Sequence, residues 1–413
     1  MRFFDGVFST PRWLALWAAM LGYMLDAMDV LLYVFALQAI RSEFQLSNAE
    51  AGLVSSATLI ASAGGGILAG VVSDHIGRRA TLVYTILAYS LASAGSAFSQ
   101  GLLDLILWRA LVGLGLGGEW SAGATLVSES WPAEHRGKAI SFMQSGWAIG
   151  YMAAALLSGF ILPRFGWRIL FLIGVLPALL TVLVRRKVEE PEIWKRSRSE
   201  RPPGGFLAIF RPPHGRLTLL ATVLATSVLF AYWGLFTWLP GFLAAPVVAG
   251  GAGLSIVRTS AFVFTAQFGA YAGYLTFGVL ADRWGRRPAF AAYVLAAALL
   301  VPVYGLTPRL FPAHAEAILL ALGPLIGFFG TGFFSLFGAM LSEIYPTAIR
   351  GAGQGFAYNF GRGLSALSPY AVGALADRHG LGAALALNSS FFLMGSVLVF
   401  LLPETKNREL SHV

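Results

Sequence analysis

The 413-residue sequence predicts an all-α membrane protein of twelve transmembrane helices arranged as two six-helix pseudo-repeats. Three observations predict it. The chain is 57% hydrophobic and only 12% charged, about half the charge density of a soluble globular chain, and its mean hydropathy is +0.70. Its apolar residues come in runs of about 20, long enough to cross a bilayer as helices. Two polar segments of the first half recur in the second. This composition excludes a water-soluble enzyme. The net charge of +9 would suggest nucleic acid in a soluble chain, but here the basic residues sit in short loops between apolar runs, so no nucleic-acid partner is expected. Without cysteine there is no disulfide framework and no thiolate chemistry. The six histidines have no pair at metal-ligand spacing, and no cofactor or metal is expected.

The N-terminal MRFFDGVFSTPRW lacks a small-residue cleavage site and runs into a span too long for a signal sequence, so it should stay attached. Thr10 before Pro11 reads as an N-cap with proline at the first helical position, which opens span 1 over residues 13–37. Spans 2 to 6 follow at 49–72, 80–98, 101–128, 138–161 and 168–185. Gly113, Gly115, Gly117 and Gly118 lie inside an apolar helix with no preceding strand, so they predict close helix packing rather than a phosphate loop. The polar stretch Arg185–Gly205 is a solvated linker. It sets an N-terminal bundle of 1–185, a cytoplasmic linker of 186–215 and a C-terminal bundle of 216–413. Spans 7 to 12 occupy 216–243, 257–280, 288–306, 315–342, 352–376 and 381–402.

Of 29 lysines and arginines, 21 fall in the N-terminus and the loops on its side, six in the opposite loops and two inside spans. The positive-inside rule therefore puts both termini in the cytoplasm, and a bacterial-type inner membrane is expected. GVVSDHIGRR from Gly70 recurs as GVLADRWGRR from Gly278, and SESWPAEHRG from Ser128 as SEIYPTAIRG from Ser342. An even number of spans separates the copies, so the repeats are parallel. That arrangement places a substrate site at mid-depth.

G-x-x-x-D-x-x-G-R-R in both copies, R-x-x-x-G-x-G-x-G from Arg109 to Gly117, and PETK at Pro403 to Lys406 resemble the major facilitator superfamily over almost the whole chain. Within it, DAMD at Asp26 to Asp29, GGEW at Gly117 to Trp120, PAEHRGKA from Pro132 and YNFGRGLSALSP from Tyr358 resemble the proton:organic-acid symporters, which carry sialate, lactate or pyruvate, aromatic acids and other metabolites. The resemblance implies alternating access and a cytoplasmic gate. In that gate Asp74 with Arg78, Asp282 with Arg286, Glu129 with Arg136 and Glu343 with Arg350 lock the halves when the carrier faces outward.

A charge at the bilayer centre costs roughly 2.5 to 3.5 kcal/mol on insertion scales, so the five charges nearest the middle of spans, Asp26, Asp29, Arg109, Glu119 and Arg362, need partners or water. From a rise of about 1.5 Å per residue, Asp26 and Arg362 lie within roughly 3 Å of the midplane. Asp29 and Arg109 lie about 6 and 9 Å to the outer side, and Glu119 about 6 Å to the inner side. If spans 1 and 4 touch, as the family fold implies, Asp29 and Arg109 come level and pair. Tyr23, Asp26, Asp29 and Tyr33 fall within about 120° on one helix face, a polar stripe expected to look at water. Asp26, at mid-depth without an evident cation, is expected to take up protons, with Glu119 as its rival.

Arg362 is the expected substrate anchor, because a guanidinium stays charged and its planar fork matches a carboxylate. Asn359 and Ser365 lie three residues either side of it on the same face. Tyr23, Trp120, Gln144, Trp147, Tyr232, Trp233, Gln267, Tyr271 and Tyr358 lie near the same depth and could complete a pocket. The sequence thus predicts a monomeric secondary transporter moving a small organic acid, a monocarboxylate such as lactate or pyruvate, with protons. A sugar or polyol carrier is the alternative, and a non-transporting receptor a remoter one.

Overall fold

The computed structural model describes residues 10–131, 133–176, 178–179, 206–346 and 349–406. Among these the chain is helical with no strand, as backbone groups in lipid must be satisfied within their own segment. The helices are α1 (Pro11–Phe44), α2 (Asn48–Ile76), α3 (Arg78–Ser96), α4 (Leu102–Ser130), α5 (Ala133–Ile173), α6 (His214–Ala244), α7 (Ile256–Trp284) and α8 (Arg286–Leu310). They continue as α9 (Ala315–Thr331), α10 (Phe334–Glu343), α11 (Arg350–Ser365), α12 (Ser368–His379), α13 (Leu381–Asn388) and α14 (Ser390–Leu398). Every span read from the sequence corresponds to helix over its described part, except that span 6 passes into turn at 174–176; residues 177 and 180–185 of that span, and the linker up to 205, lie outside the described residues.

The differences have local causes. Spans 5 and 6 run on as α5, turned at Gly166, whose φ of 76° is a left-handed value that favours glycine. Span 11 breaks between α11 and α12. Pro369 cannot donate a helical hydrogen bond to the carbonyl four residues back, and the Ser365 hydroxyl donates to Arg362 O at 2.8 Å. Span 12 breaks at Ser389, whose hydroxyl donates to Ala386 O at 2.6 Å, the back-bonding that bends helices. Span 10 breaks at Gly332 and Phe333. Seven helical stretches among the described residues are long and apolar enough to cross a membrane.

The chain divides into two compact units. The first holds Met1–Phe44 and Ala57–Arg201, the second Gln45–Ser56 and Pro202–Val413. In the first, α1 packs along α5 and α4, and α3 along α4. Small residues permit this: a Cβ on Gly117 of α4 would stand 1.9 Å from Ser62 O on α2, so the two backbones touch as in other close-packed membrane helices. In the second unit α6 packs on α11 and α14, α7 on α9, and α8 on α9, α13 and α14. The first turn of α2 belongs here. The Asp377 carboxylate at the end of α12 accepts from Asn48 N at 3.0 Å, Asn48 Nδ2 at 2.7 Å and Ala49 N at 3.0 Å. It supplies the anion that a helix N-terminus favours.

Candidate functional site

In the first unit the polar residues of α1 meet α3 and α4 in two steps. At the step that the sequence reading expects on the outer side, Arg109 pairs with Asp29 at 3.5 Å, with side chains 1% and 0% exposed. The Ser93 hydroxyl of α3 donates to the other Asp29 oxygen. The Arg109 guanidinium stands over the rings of Tyr33 at 5.6 Å and Phe171 at 5.8 Å, two further favourable contacts for a buried cation. Removing one member of such a pair leaves an uncompensated buried charge, at a cost of about 3–5 kcal/mol.

At the inner step, Asp26 of α1 and Glu119 of α4 share a hydrogen bond, and both are buried. Ionised carboxyls only accept, so a bond between two carboxyls holds a proton. The sequence offers Asp26 and Glu119 as rivals; the fold makes them one group. Helix rise sets the two Cα atoms at different depths, and the longer glutamate side chain spans the difference. Space for it comes from Gly22, where a Cβ would stand 2.1 Å from Glu119 Oε1.

The polar stripe on α1 is divided rather than uniformly wetted. Asp26, Asp29 and Tyr33 are buried because charged groups in an apolar bundle turn to the partners that α3 and α4 offer. Tyr23 is half-buried and its ring lies 5.2 Å from that of Trp147 on α5. Gln144, on the same helix as Trp147, is 9% exposed.

In the second unit, Arg362 is 9% exposed in the last turn of α11 and forms no ion pair with the described residues. Tyr358 lies one turn before it and feels its charge. Tyr274 of α7 neighbours both Tyr232 of α6 and Tyr358, and Phe334 closes on Tyr232 at 5.2 Å while Phe337 reaches Tyr358 at 6.3 Å. Gln267, Tyr271 and Tyr274 follow one face of α7 at helical spacing. Gln267 Nε2 is buried with no hydrogen-bond partner among the described residues, as is Asn359 Oδ1. Two expected contributors are spent locally: the Ser365 hydroxyl donates within its own helix, and Asn359 Nδ2 donates to Gly355 O at 3.0 Å, since short polar side chains at a helix end bond the nearest carbonyl. Tyr274 was missed by sequence reasoning, although the seven-residue step from Gln267 signals it.

Both copies of the D-x-x-G-R-R motif turn on a glycine of the same conformation, Gly77 at φ 102° and Gly285 at φ 106°. The side chains of Asp74, Arg78, Glu129, Arg136, Arg350 and Trp120 lie outside the described residues. In the second copy, Arg286 pairs with Asp282 at 2.5 Å and with Glu343 at 3.5 Å. The PETK segment completes this cluster. Glu404 accepts from the backbone N–H of Arg286 at 2.9 Å, Arg287 at 3.1 Å, Thr405 at 3.0 Å and Lys406 at 3.0 Å. The Thr405 hydroxyl donates to Glu343 at 2.5 Å. Partial burial pushes the Glu404 carboxyl up, but these four donors outweigh it and hold the group below the ordinary glutamate range.

Known proteins place the chain. The family model for the Major Facilitator Superfamily matches residues 19–255 and 241–412. A niacin transporter of Acinetobacter baylyi is 31% identical, with 96% of this chain and 95% of that protein covered. A cis,cis-muconate transport protein of the same organism is 30% identical over 94% and 93%. Among solved structures, a D-xylose-proton symporter superposes with a TM-score of 0.77 at 19% identity, covering 97% of this chain and 100% of that one, a likeness of fold. The chain belongs to the major facilitator superfamily, as a multi-pass α-helical membrane transporter and not an enzyme.

Proposed function

We propose that this transporter carries a small organic anion together with protons, with both termini in the cytoplasm. The observation that carries the reading is Arg362: a guanidinium nine-tenths buried, without an ion pair among the described residues, beside Tyr358, which in turn neighbours Tyr274. A buried cation that the protein leaves uncompensated is what an arriving carboxylate would neutralise. The niacin and muconate carriers named among its relatives support an organic acid. A monocarboxylate such as lactate or pyruvate is the first candidate, and a sugar or polyol the alternative.

The Asp26–Glu119 pair is the proton carrier in this reading, and Asp29 with Arg109 a fixed counter-pair beside it. A proton taken up by the pair and an anion taken up by Arg362 together lower the charge buried in the membrane, which makes the loaded carrier the easier one to reorient. The cluster of Asp282, Arg286 and Glu343, with its first-half counterpart, is the cytoplasmic gate.

A thermal-shift panel of organic acids and sugars on purified protein tests the cargo, since a ligand of the folded state raises its apparent stability. Wild-type protein is expected to be stabilised by at least one monocarboxylate, and Arg362→Gln to lose that response while unfolding at an unchanged temperature without ligand. Stabilisation by sugars alone, or an undiminished response in Arg362→Gln, refutes the assignment.

A further inference from the structure

α1 and α3 run side by side in one register. Gly22 is level with Ile86, whose Cδ1 lies 3.8 Å from the position a Gly22 Cβ would take. Asp29 is level with Ser93, which donates to it. Between these two fixed points, one turn from each, α1 presents Asp26 and α3 presents Tyr89. The base of Tyr89 is held against α4: a Cβ on Gly115 would meet Tyr89 Cβ at 2.7 Å. The residues clustered around the ring are Leu82, Ile86, Ala92, Val112 and Leu116 among other apolar side chains, so its hydroxyl, itself fully buried, has carboxyls for polar neighbours. Those facing it are Asp26 and Asp29 from α1 and Glu119 from α4. α5 brings Gly174 and Phe171 to the neighbouring Asp29 level. Asp29 is already engaged by Arg109 and Ser93. The Tyr89 hydroxyl is within hydrogen-bonding reach of the Asp26 carboxyl, although neither it nor Asp26 Oδ1 completes a hydrogen bond of ordinary geometry among the described residues.

We propose that Tyr89 is a positioning residue of the proton site, the donor that takes over Asp26 when the Asp26–Glu119 pair gives up its proton. While the pair is protonated, its shared proton satisfies one oxygen of each carboxyl and the tyrosine contact with Asp26 stays loose. Once the proton leaves, the carboxyls repel, and a phenol O–H pointed at Asp26 is the one group on α3 able to replace what was lost. Buried polar atoms are satisfied in the great majority of cases. The loose contact here is the one that tightens in the other protonation state. Tyr89 thereby sets the pH at which the carrier lets its proton go. This rests on the reading of Asp26 and Glu119 as the proton carrier.

Tyr89→Phe keeps the ring and removes the hydroxyl. In proteoliposomes holding a pH dye, wild-type protein, Tyr89→Phe and Asp26→Asn are compared for acid-driven proton uptake between pH 5 and 9, using whichever carboxylate stabilises the wild type. Loss of a donor to a charged acceptor corresponds to a shift of about one to two pH units. The Tyr89→Phe profile is expected to move to higher pH by that amount, because the deprotonated pair has lost its stabilising donor, with the affinity for the carboxylate at saturating proton unchanged. A Tyr89→Phe profile superimposable on wild type, with Asp26→Asn abolishing uptake, overturns the role of Tyr89 alone. Uptake without proton movement in the wild type, or full coupling in Asp26→Asn, overturns the proton site and Tyr89 with it.

Discussion

Two glycine-to-alanine substitutions separate a packing contact from a site contact. In an unobstructed helix, glycine to alanine stabilises by about 0.5–1 kcal/mol. At Gly117 the new Cβ would stand 1.9 Å from Ser62 O and 2.6 Å from Gly66 N, both backbone atoms of α2. Ordinary contact begins at 3.4 Å, so α2 and α4 must part by about 1.5 Å. Overpacking of this kind costs about 1–3 kcal/mol, which exceeds the propensity gain, and Gly117→Ala should unfold at a lower temperature. At Gly22 the obstacle is Glu119 Oε1 at 2.1 Å, with Cδ behind it at 3.1 Å, the tip of a flexible side chain. The carboxyl must retreat by about 1.3 Å, enough to break its hydrogen bond with Asp26 but not to separate helices. Gly22→Ala should therefore unfold within a few degrees of wild type while losing proton-coupled uptake. The assays are intrinsic-fluorescence melting in detergent and dye-reported proton flux in proteoliposomes. If Gly22→Ala melts as early as Gly117→Ala and still moves protons normally, Glu119 does not rest on α1 and the paired-carboxyl site is wrong.

Two further outcomes follow from the same contacts. Ser93→Ala removes one charge-assisted bond to Asp29 and should cost about 1.5–3 kcal/mol. Arg109→Gln strands the carboxylate at about 3–5 kcal/mol, and Arg109→Gln with Asp29→Asn should recover part of that loss; melting temperatures ranked otherwise would mean the pair is not buried as described. Glu404 is held below the ordinary glutamate value, so its contribution is present above about pH 4.3, the unfolded value, and is lost as pH falls through the lower folded-state value. A melting series from pH 6 to pH 3 should show a drop at the acid end that Glu404→Gln lacks, and identical acid limbs would remove the clasp.

The twelve spans were legible because hydrocarbon leaves helices as the available solution for runs of about 20 apolar residues. The breaks at Gly332, Ala366 and Ser389 were not, since hydropathy averages over the single side chain or proline that diverts a backbone bond. Asp29 and Arg109 could be matched by depth alone, since both sit near the outer side of their helices. Asp26 and Glu119 could not, because helix rise fixes where a Cα lies and not how far a glutamate reaches over a glycine. Tyr89 and Ser93 carried no signal of their own: a tyrosine and a serine in an apolar helix are common, and their meaning comes from the register of α3 against α1.

Arg109 and Glu119 ride on a single rod, ten residues and about 15 Å apart. A slide or tilt of that rod against its neighbour would disturb the outer ion pair and the inner acid pair in the same stroke. The molecule therefore has, in one helix, a crank through which a change of protonation at one level is felt as strain at the other.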